Sequence, residues 1–285
     1  MKFWKYQGAG NDFVMVDQRE NQWISRADTK LIEQLCNRRF GIGADGLILL
    51  QNFEGYDFEM IYFNADGRES SMCGNGGRCI AAFASYLGII DKHCRFMAID
   101  GEHEAKIGAG SYSVATNAHS ARAESGQGLW INLKMSNVNK VELEGDAFIL
   151  NTGSPHYVRF VKSLDSLDMV TEGRAVRYSE RWKKDGINVN LVAKAGHNNE
   201  YPIRTYERGV EDETFACGTG ATAAAIATFL NEGGKTGDFS IKMQTKGGDL
   251  IVNAHANEDG SFTEVWLSGP AVRVFEGEIN NNLFA

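Results

Sequence analysis

Short apolar runs broken by glycine turns recur along the chain, and their order is played through twice. Phe3-Trp4-Lys5-Tyr6 and Phe13-Val14-Met15-Val16-Asp17 read as strands joined by the polar turn Gly8-Ala9-Gly10-Asn11-Asp12. Between Asp28 and Arg39, Leu31, Ile32, Leu35 and Cys36 share one face at helical spacing, so an amphipathic helix is expected, stopped by Gly41 and Gly43. Leu47–Leu50 and Phe58–Phe63 are strand runs, the second leading into the turn Asn64-Ala65-Asp66-Gly67. An alanine-rich apolar helix to about Gly88 follows, then strands at Arg95–Ile99 and before Gly108-Ala109-Gly110. The second half repeats this: a strand, the turn Asn151-Thr152-Gly153-Ser154, a strand, a helix over Val170–Trp182, strands at Ile187–Val192 and Tyr201–Tyr206, and an alanine-rich helix to Gly233-Gly234. Strands around Val265–Leu267 and Val272–Phe275 close the chain.

Both alanine-rich helices open on one motif, Cys73-Gly74-Asn75-Gly76 and Cys217-Gly218-Thr219-Gly220, whose cysteines stand 144 residues apart (217 less 73). Gly10 and Gly153 are offset by nearly the same distance, so the pattern is a duplication and not a chance match. Asn and Thr cap helices well, which predicts helices beginning just after Asn75 and Thr219. Each thiol would then lie beside the unpaired N–H groups and positive end of a helix, where a cysteine pKa falls and a carboxylate can be held. Taken alone, a cysteine near a helix is usually a small buried hydrophobe, and Cys36, Cys79 and Cys94 read that way.

The fold class expected is α/β (α+β), with two pseudo-symmetric duplicated domains, each a curved, mostly antiparallel sheet around a Cys-capped helix, and a site in the cleft between them. Residues 1–120, completed by 270–285, would form the first domain and 121–269 the second, with the Ala-, Ser-, Asn- and Gly-rich stretch near 115–128 as the crossing. A net charge of −8 argues against nucleic acid or an anionic membrane as partner. No apolar run approaches a membrane span, and the first ten residues lack the apolar core of a secretory signal. Five cysteines, an odd number, suit reduced thiols in the cytoplasm. No spacing typical of a metal site occurs, and no lysine stands out as a pyridoxal-phosphate anchor, so a cofactor-free reaction is expected.

Two thiols on opposite sides of a bound acid suit proton abstraction at one face of an α-carbon and return at the other. The sequence resembles the diaminopimelate epimerase family along almost its whole length. The resemblance rests on Gly8–Phe13, Asn64-Ala65-Asp66-Gly67, Met72–Gly76, Pro155-His156, Glu207-Arg208-Gly209, Ala216–Gly220, Ser268-Gly269-Pro270-Ala271 and Phe275-Glu276-Gly277. It implies interconversion of LL- and meso-diaminopimelate without a cofactor, for lysine and cell-wall precursors, commonly by a homodimer. It implies Cys73 and Cys217 as the acid/base pair, with Gly74, Asn75, Gly218 and Thr219 on the reacting carboxylate. It also places His156 and Glu207 beside the reacting amino group, and Asn11, Asn64, Asn188 and Arg208 on the distal end, where the Arg fork matches a carboxylate. Two departures stand out: Gly46 where some relatives carry Gln, and Ser154 where some carry Asn. The rival readings are a proline or hydroxyproline racemase, a thiol–disulfide redox protein and a non-catalytic amino-acid-binding module. Turnover of diaminopimelate against proline separates them.

Overall fold

The computed structural model describes residues 1–112, 128–194 and 200–280. It divides into two compact units, Met1–Leu133 with Pro270–Ala285, and Lys134–Gly269. The first unit therefore runs past residue 120, through a strand whose preceding segment, the Ala-, Ser-, Asn- and Gly-rich stretch near 115–128, lies almost wholly outside the described residues.

In the first unit the elements are β1 (Lys2–Gly8), β2 (Asn11–Asp17), α1 (Thr29–Cys36), β3 (Gly46–Gln51), β4 (Phe58–Asn64), β5 (Glu69–Ser70), α2 (Gly74–Tyr86), β6 (His93–Ala98), β7 (Gly101–Tyr112) and β8 (Gly128–Lys134). In the second they are β9 (Val141–Glu144), β10 (Ala147–Asn151), β11 (Pro155–Val161), α3 (Met169–Arg177), β12 (Asn188–Ala193), β13 (Glu200–Glu207), β14 (Asp212–Thr214), α4 (Gly218–Asn231), β15 (Gly237–Thr245) and β16 (Gly248–Ala256). A final strand, β17 (Phe262–Glu278), pairs with β16 through its first part and with β1 through its last.

The duplication is visible strand by strand. In the first unit β1–β2 is antiparallel, β2–β3 parallel, β3–β4 antiparallel, β4–β6 parallel and β6–β7 antiparallel. The series β10–β11, β11–β12, β12–β13, β13–β15 and β15–β16 repeats that alternation in the second. Each sheet is antiparallel apart from two parallel pairs, and each parallel pair spans a helical connection, as a crossover requires. Each sheet wraps one helix. In α2 every residue from Gly74 to Ala84 is buried, and in α4 Gly218 and every residue from Gly220 to Thr228. A helix apolar on all sides is stable only when surrounded, and the small alanines let strands approach it closely.

Two helices are shorter than their patterns suggest. The helix expected over Asp28–Arg39 stops at Cys36, because the Asn37 side chain accepts from the Arg39 and Phe40 N–H groups and turns the chain. Its apolar face is buried as expected, with Ile32, Leu35 and Cys36 in the core. The helix expected over Val170–Trp182 ends at Arg177 and begins at Met169, where Asp168 caps it.

Candidate active site

Cys73 and Cys217 themselves cap α2 and α4. Both have extended backbone, at φ −87° and −111°, and their carbonyls accept the first helical bonds from Gly77 (2.7 Å) and Ala221 (2.9 Å). The helices thus start at Gly74 and Gly218, two residues earlier than Asn75 and Thr219 as caps would allow. Those two side chains do not cap because other groups hold them.

In the first unit, Asn75 is buried; its Oδ1 accepts from Arg78 Nη2 (2.8 Å), which fixes its amide so that Nδ2 donates to Asn11 Oδ1 (3.3 Å). The same Asn11 oxygen accepts from Cys73 Sγ (3.6 Å). Asn11 is placed there by the β1–β2 turn at Ala9 and Gly10, both at positive φ, and its amide is oriented by donation to Asp45 Oδ2 (2.6 Å). Arg38 bridges Asp45 (2.6 Å) and Asp12 (2.7 Å), and Lys5 pairs with Asp12 at 2.7 Å. Burial raises the Asp12 carboxyl pKa, but its bonds to Arg38 and Lys5 outweigh that and hold it well below the usual range. Beneath Cys73 the Arg78 guanidinium is fully buried, donating also to the Gly74 (3.3 Å) and Pro270 (3.5 Å) carbonyls, and burial lowers its pKa.

In the second unit the row of side chains running back from Cys217 is neutral. Its Sγ lies 3.4 Å from Thr219 Oγ1, which lies 3.3 Å from Ser154 Oγ. Ser154 Oγ is 2.9 Å from His156 Nε2 and accepts from Asn188 Nδ2 at 3.0 Å. His156 is fully buried, and Asn190 Nδ2 donates to its Nδ1 at 3.1 Å. Burial, and then the charge of Arg208, push its pKa down to about 3, so the ring is neutral at physiological pH. His156 and Asn188 are register partners on β11 and β12, and Asn190 lies two residues further along the same face. Gly220 makes this possible: a Cβ there would lie 2.5 Å from Asn190 Oδ1.

Of the residues expected to act together, the first unit gathers Cys73, Gly74, Asn75 and Asn11. Asn64 is exposed at the end of β4, where its N–H donates to the Arg68 carbonyl (3.0 Å). The second unit gathers Cys217, Gly218, Thr219, His156 and Asn188. Asn188 Oδ1 accepts from the Arg208 N–H (2.8 Å), and the exposed Arg208 donates through Nη1 to the Asp185 carbonyl (2.9 Å). Half-buried Glu207 ends β13 beside it. Gly46 is a packing position, since a Cβ would meet the Phe63 carbonyl at 2.5 Å and the Tyr62 ring at 2.6 Å. Arg78 and Asn190 were not singled out by sequence reasoning. A lone cation inside an alanine-rich helix, and an Asn-x-Asn pair at strand period, were the available signals.

Solved structures match this architecture over almost the whole chain. A Bacillus anthracis phenazine biosynthesis protein of the PhzF family aligns with TM-score 0.73 at 13% identity, covering 98% of this chain and 99% of that one. A hydroxyproline epimerase from Agrobacterium vitis aligns with TM-score 0.59 at 12% identity, covering 98% and 91%. At such identities the likeness defines a class by fold: duplicated α/β proteins, here with a cysteine-capped central helix in each half. Sequence narrows it. The family model for diaminopimelate epimerase matches residues 3–118 and 148–274. A diaminopimelate epimerase of Flavobacterium psychrophilum is 47% identical over 98% of this chain and 100% of its own length, and one from Chlorobaculum tepidum 40% over 95% and 98%. The chain belongs to the diaminopimelate epimerase family.

Proposed function

We propose that this chain interconverts LL- and meso-2,6-diaminopimelate, with Cys73 and Cys217 as the two proton carriers on opposite faces of the reacting carbon. The observation that carries the reading is that each unit caps its buried central helix with a cysteine, in a chain whose relatives of similar length are diaminopimelate epimerases. One sulfur, as thiolate, takes the α-hydrogen as a proton, and the electron pair of the broken C–H bond passes toward the carboxylate. The other sulfur, as thiol, gives its proton to the opposite face, which inverts the centre and leaves the two sulfurs with exchanged protonation. The backbone N–H groups that open α2 and α4, at Gly74, Asn75, Gly218 and Thr219, stand at the positive end of each helix and suit the charge that grows on the carboxylate. Asn11, Asn64, Asn188, Glu207 and Arg208 hold the remaining amino and carboxylate groups. His156, with both ring nitrogens occupied, supports the site from behind. Among the described residues no helix is long and apolar enough to cross a membrane, and the odd cysteine count favours a reducing compartment, so we place the reaction in the cytoplasm.

The test is epimerisation of LL-diaminopimelate in heavy water. Early product should carry deuterium at the inverted α-carbon while recovered substrate stays largely unlabelled, because the acid on the far face holds a solvent-derived proton. Product that keeps its original hydrogen would point to a single base. Turnover of hydroxyproline in place of diaminopimelate would overturn the substrate assignment.

A further inference from the structure

The hydrogen bonds of the second unit have a determinable direction. Asn190 Nδ2 donates to the Tyr157 carbonyl (3.1 Å), which can only accept, and Asn190 Oδ1 takes the Thr205 hydroxyl (3.0 Å). The amide orientation is therefore settled, and an NH2 group faces His156 Nδ1. That nitrogen must accept, so the single ring proton sits on Nε2 and is donated to Ser154 Oγ. Asn188 is oriented likewise: its Oδ1 accepts the Arg208 N–H and its Nδ2 donates to the Pro155 carbonyl (3.1 Å) as well as to Ser154 Oγ. Ser154 Oγ thus accepts twice, which fills both lone pairs. Its own hydrogen has one remaining partner, Thr219 Oγ1. Thr219 Oγ1 keeps a hydrogen of its own and lies 3.4 Å from Cys217 Sγ, so it is placed to donate to a thiolate there.

We infer that Ser154 is a positioning residue that, through Thr219, fixes a hydrogen-bond donor on the Cys217 sulfur and so favours its thiolate. No proton needs to travel along the row; its work is orientation. A donor bonded to the charged form of an acid favours that form. The depressed pKa of His156 agrees, since a second ring proton would face the Asn190 NH2. Among the described residues, few charged groups lie on the elements packed against α4. The elements α4, β10 and β12 carry none, and those on the other strands against α4 are paired: Arg159 with Glu172, Arg204 with Glu213, Lys242 with Glu200 and Asp249, His255 with Asp238. Glu207 closes β13 and Arg208 follows it, and Arg208 is the charge that bears on His156.

The role assigned to Cys217 rests on the proposed activity, but the test does not need turnover. Iodoacetamide alkylation, followed across pH and resolved by mass spectrometry at each cysteine, reports each thiol's titration. Ser154→Ala should raise the Cys217 midpoint by about one pH unit, or about tenfold slower alkylation at neutral pH, the size expected from weakening a charge-assisted bond. The Cys73 midpoint should not move. Ser154→Thr, which keeps the hydroxyl, should restore the Cys217 value, and Thr219→Val should raise it as Ser154→Ala does. An unchanged Cys217 midpoint in folded Ser154→Ala, or equal shifts at both cysteines, would overturn the inference. So would nitrogen NMR of the unaltered protein at pH 7 showing His156 protonated on Nδ1, a result that requires no variant to fold. Normal thiol titrations in a protein inactive on diaminopimelate would instead sink the proposed activity alone.

Discussion

The two cysteine-capped helices are copies in backbone and opposites in chemistry. Asn11 and Ser154 are repeat counterparts at the tips of equivalent turns, and each reaches the side chain two residues after its unit's cysteine, Asn75 or Thr219. Behind those tips the halves diverge. Where β11 and β12 present His156, Asn188 and Asn190, the matching register positions of β2 and β3 present Phe13, Gly46 and Ile48. The first unit places its polarity inside the helix instead: Arg78 binds the Gly74 carbonyl, as Thr222 binds that of Gly218 (3.0 Å). Cys73 thus meets an amide acceptor over a buried cation, and Cys217 a hydroxyl within a neutral relay. Duplication copied the device that places a thiol at a helix mouth, while the protonation environment of each thiol was set separately. The reaction proposed above, whose two carriers hold different protonation at any instant, would be served by such inequality.

The largest effect expected is one that both halves share. Cys73→Ala and Cys217→Ala should each cut epimerisation by about a thousandfold or more, since under the proposed two-thiol mechanism either removes the proton carrier of one face. The Ser variants should be severely impaired too, a hydroxyl being a far weaker base than a thiolate. Near-normal rates in either Ala variant would refute the two-thiol mechanism.

Arg78→Leu tests the first half alone. It strips a donor from Asn75 Oδ1 and from the Gly74 and Pro270 carbonyls in a fully buried setting. A loss of about 3 kcal/mol in urea unfolding is expected. A stability within about 0.5 kcal/mol of the parent would mean the buried cation is not structural.

A smaller contrast comes from paired glycines. Alanine at Gly220 would drive its Cβ to 2.5 Å from Asn190 Oδ1, whereas at Gly76 the nearest atoms are the flexible ends of Ile48 and Met60, both at 3.2 Å. Gly220→Ala should cost about 2–3 kcal/mol and Gly76→Ala about 1 kcal/mol or less, because only the first meets a tethered polar atom. Equal costs by denaturant titration would erase this asymmetry.

The smallest is a slope. The folded His156 stays neutral down to about pH 3, while the unfolded chain protonates it near 6.5. The unfolded state therefore binds the extra proton, and stability present above pH 6.5 is lost as pH falls, by at most about 1.4 kcal/mol per unit. His156→Gln should flatten the stability profile between about pH 6 and 4.5, above the range where carboxylates titrate. An identical slope in the variant would show that His156 is not held neutral.

Much of this was written locally. The continuous apolar runs of β2, β3 and β4, the helical face of Ile32, Leu35 and Cys36, and the doubled Cys-Gly-x-Gly opening are short-range patterns, and short-range geometry realises them. The misjudged caps show where local reading stops. Asn75 and Thr219 are good capping residues by type, yet Asn11 and Arg78 claim the one and Ser154 the other, and Asn11 and Ser154 lie more than sixty residues away along the chain. Gly46 looked like a missing amide until the Phe63 carbonyl and Tyr62 ring were seen to fill the space beside it. Asn190 looked like an ordinary strand residue until the β11–β12 register set it against His156. The sequence by itself determined the duplication, the elements and the two thiols at helix mouths, because propensity, periodicity and capping act over a few residues. Only the tertiary structure decided which hydrogen each polar atom holds, because the direction of a hydrogen bond depends on every partner its atoms meet, and strand pairing supplies those partners from distant parts of the chain.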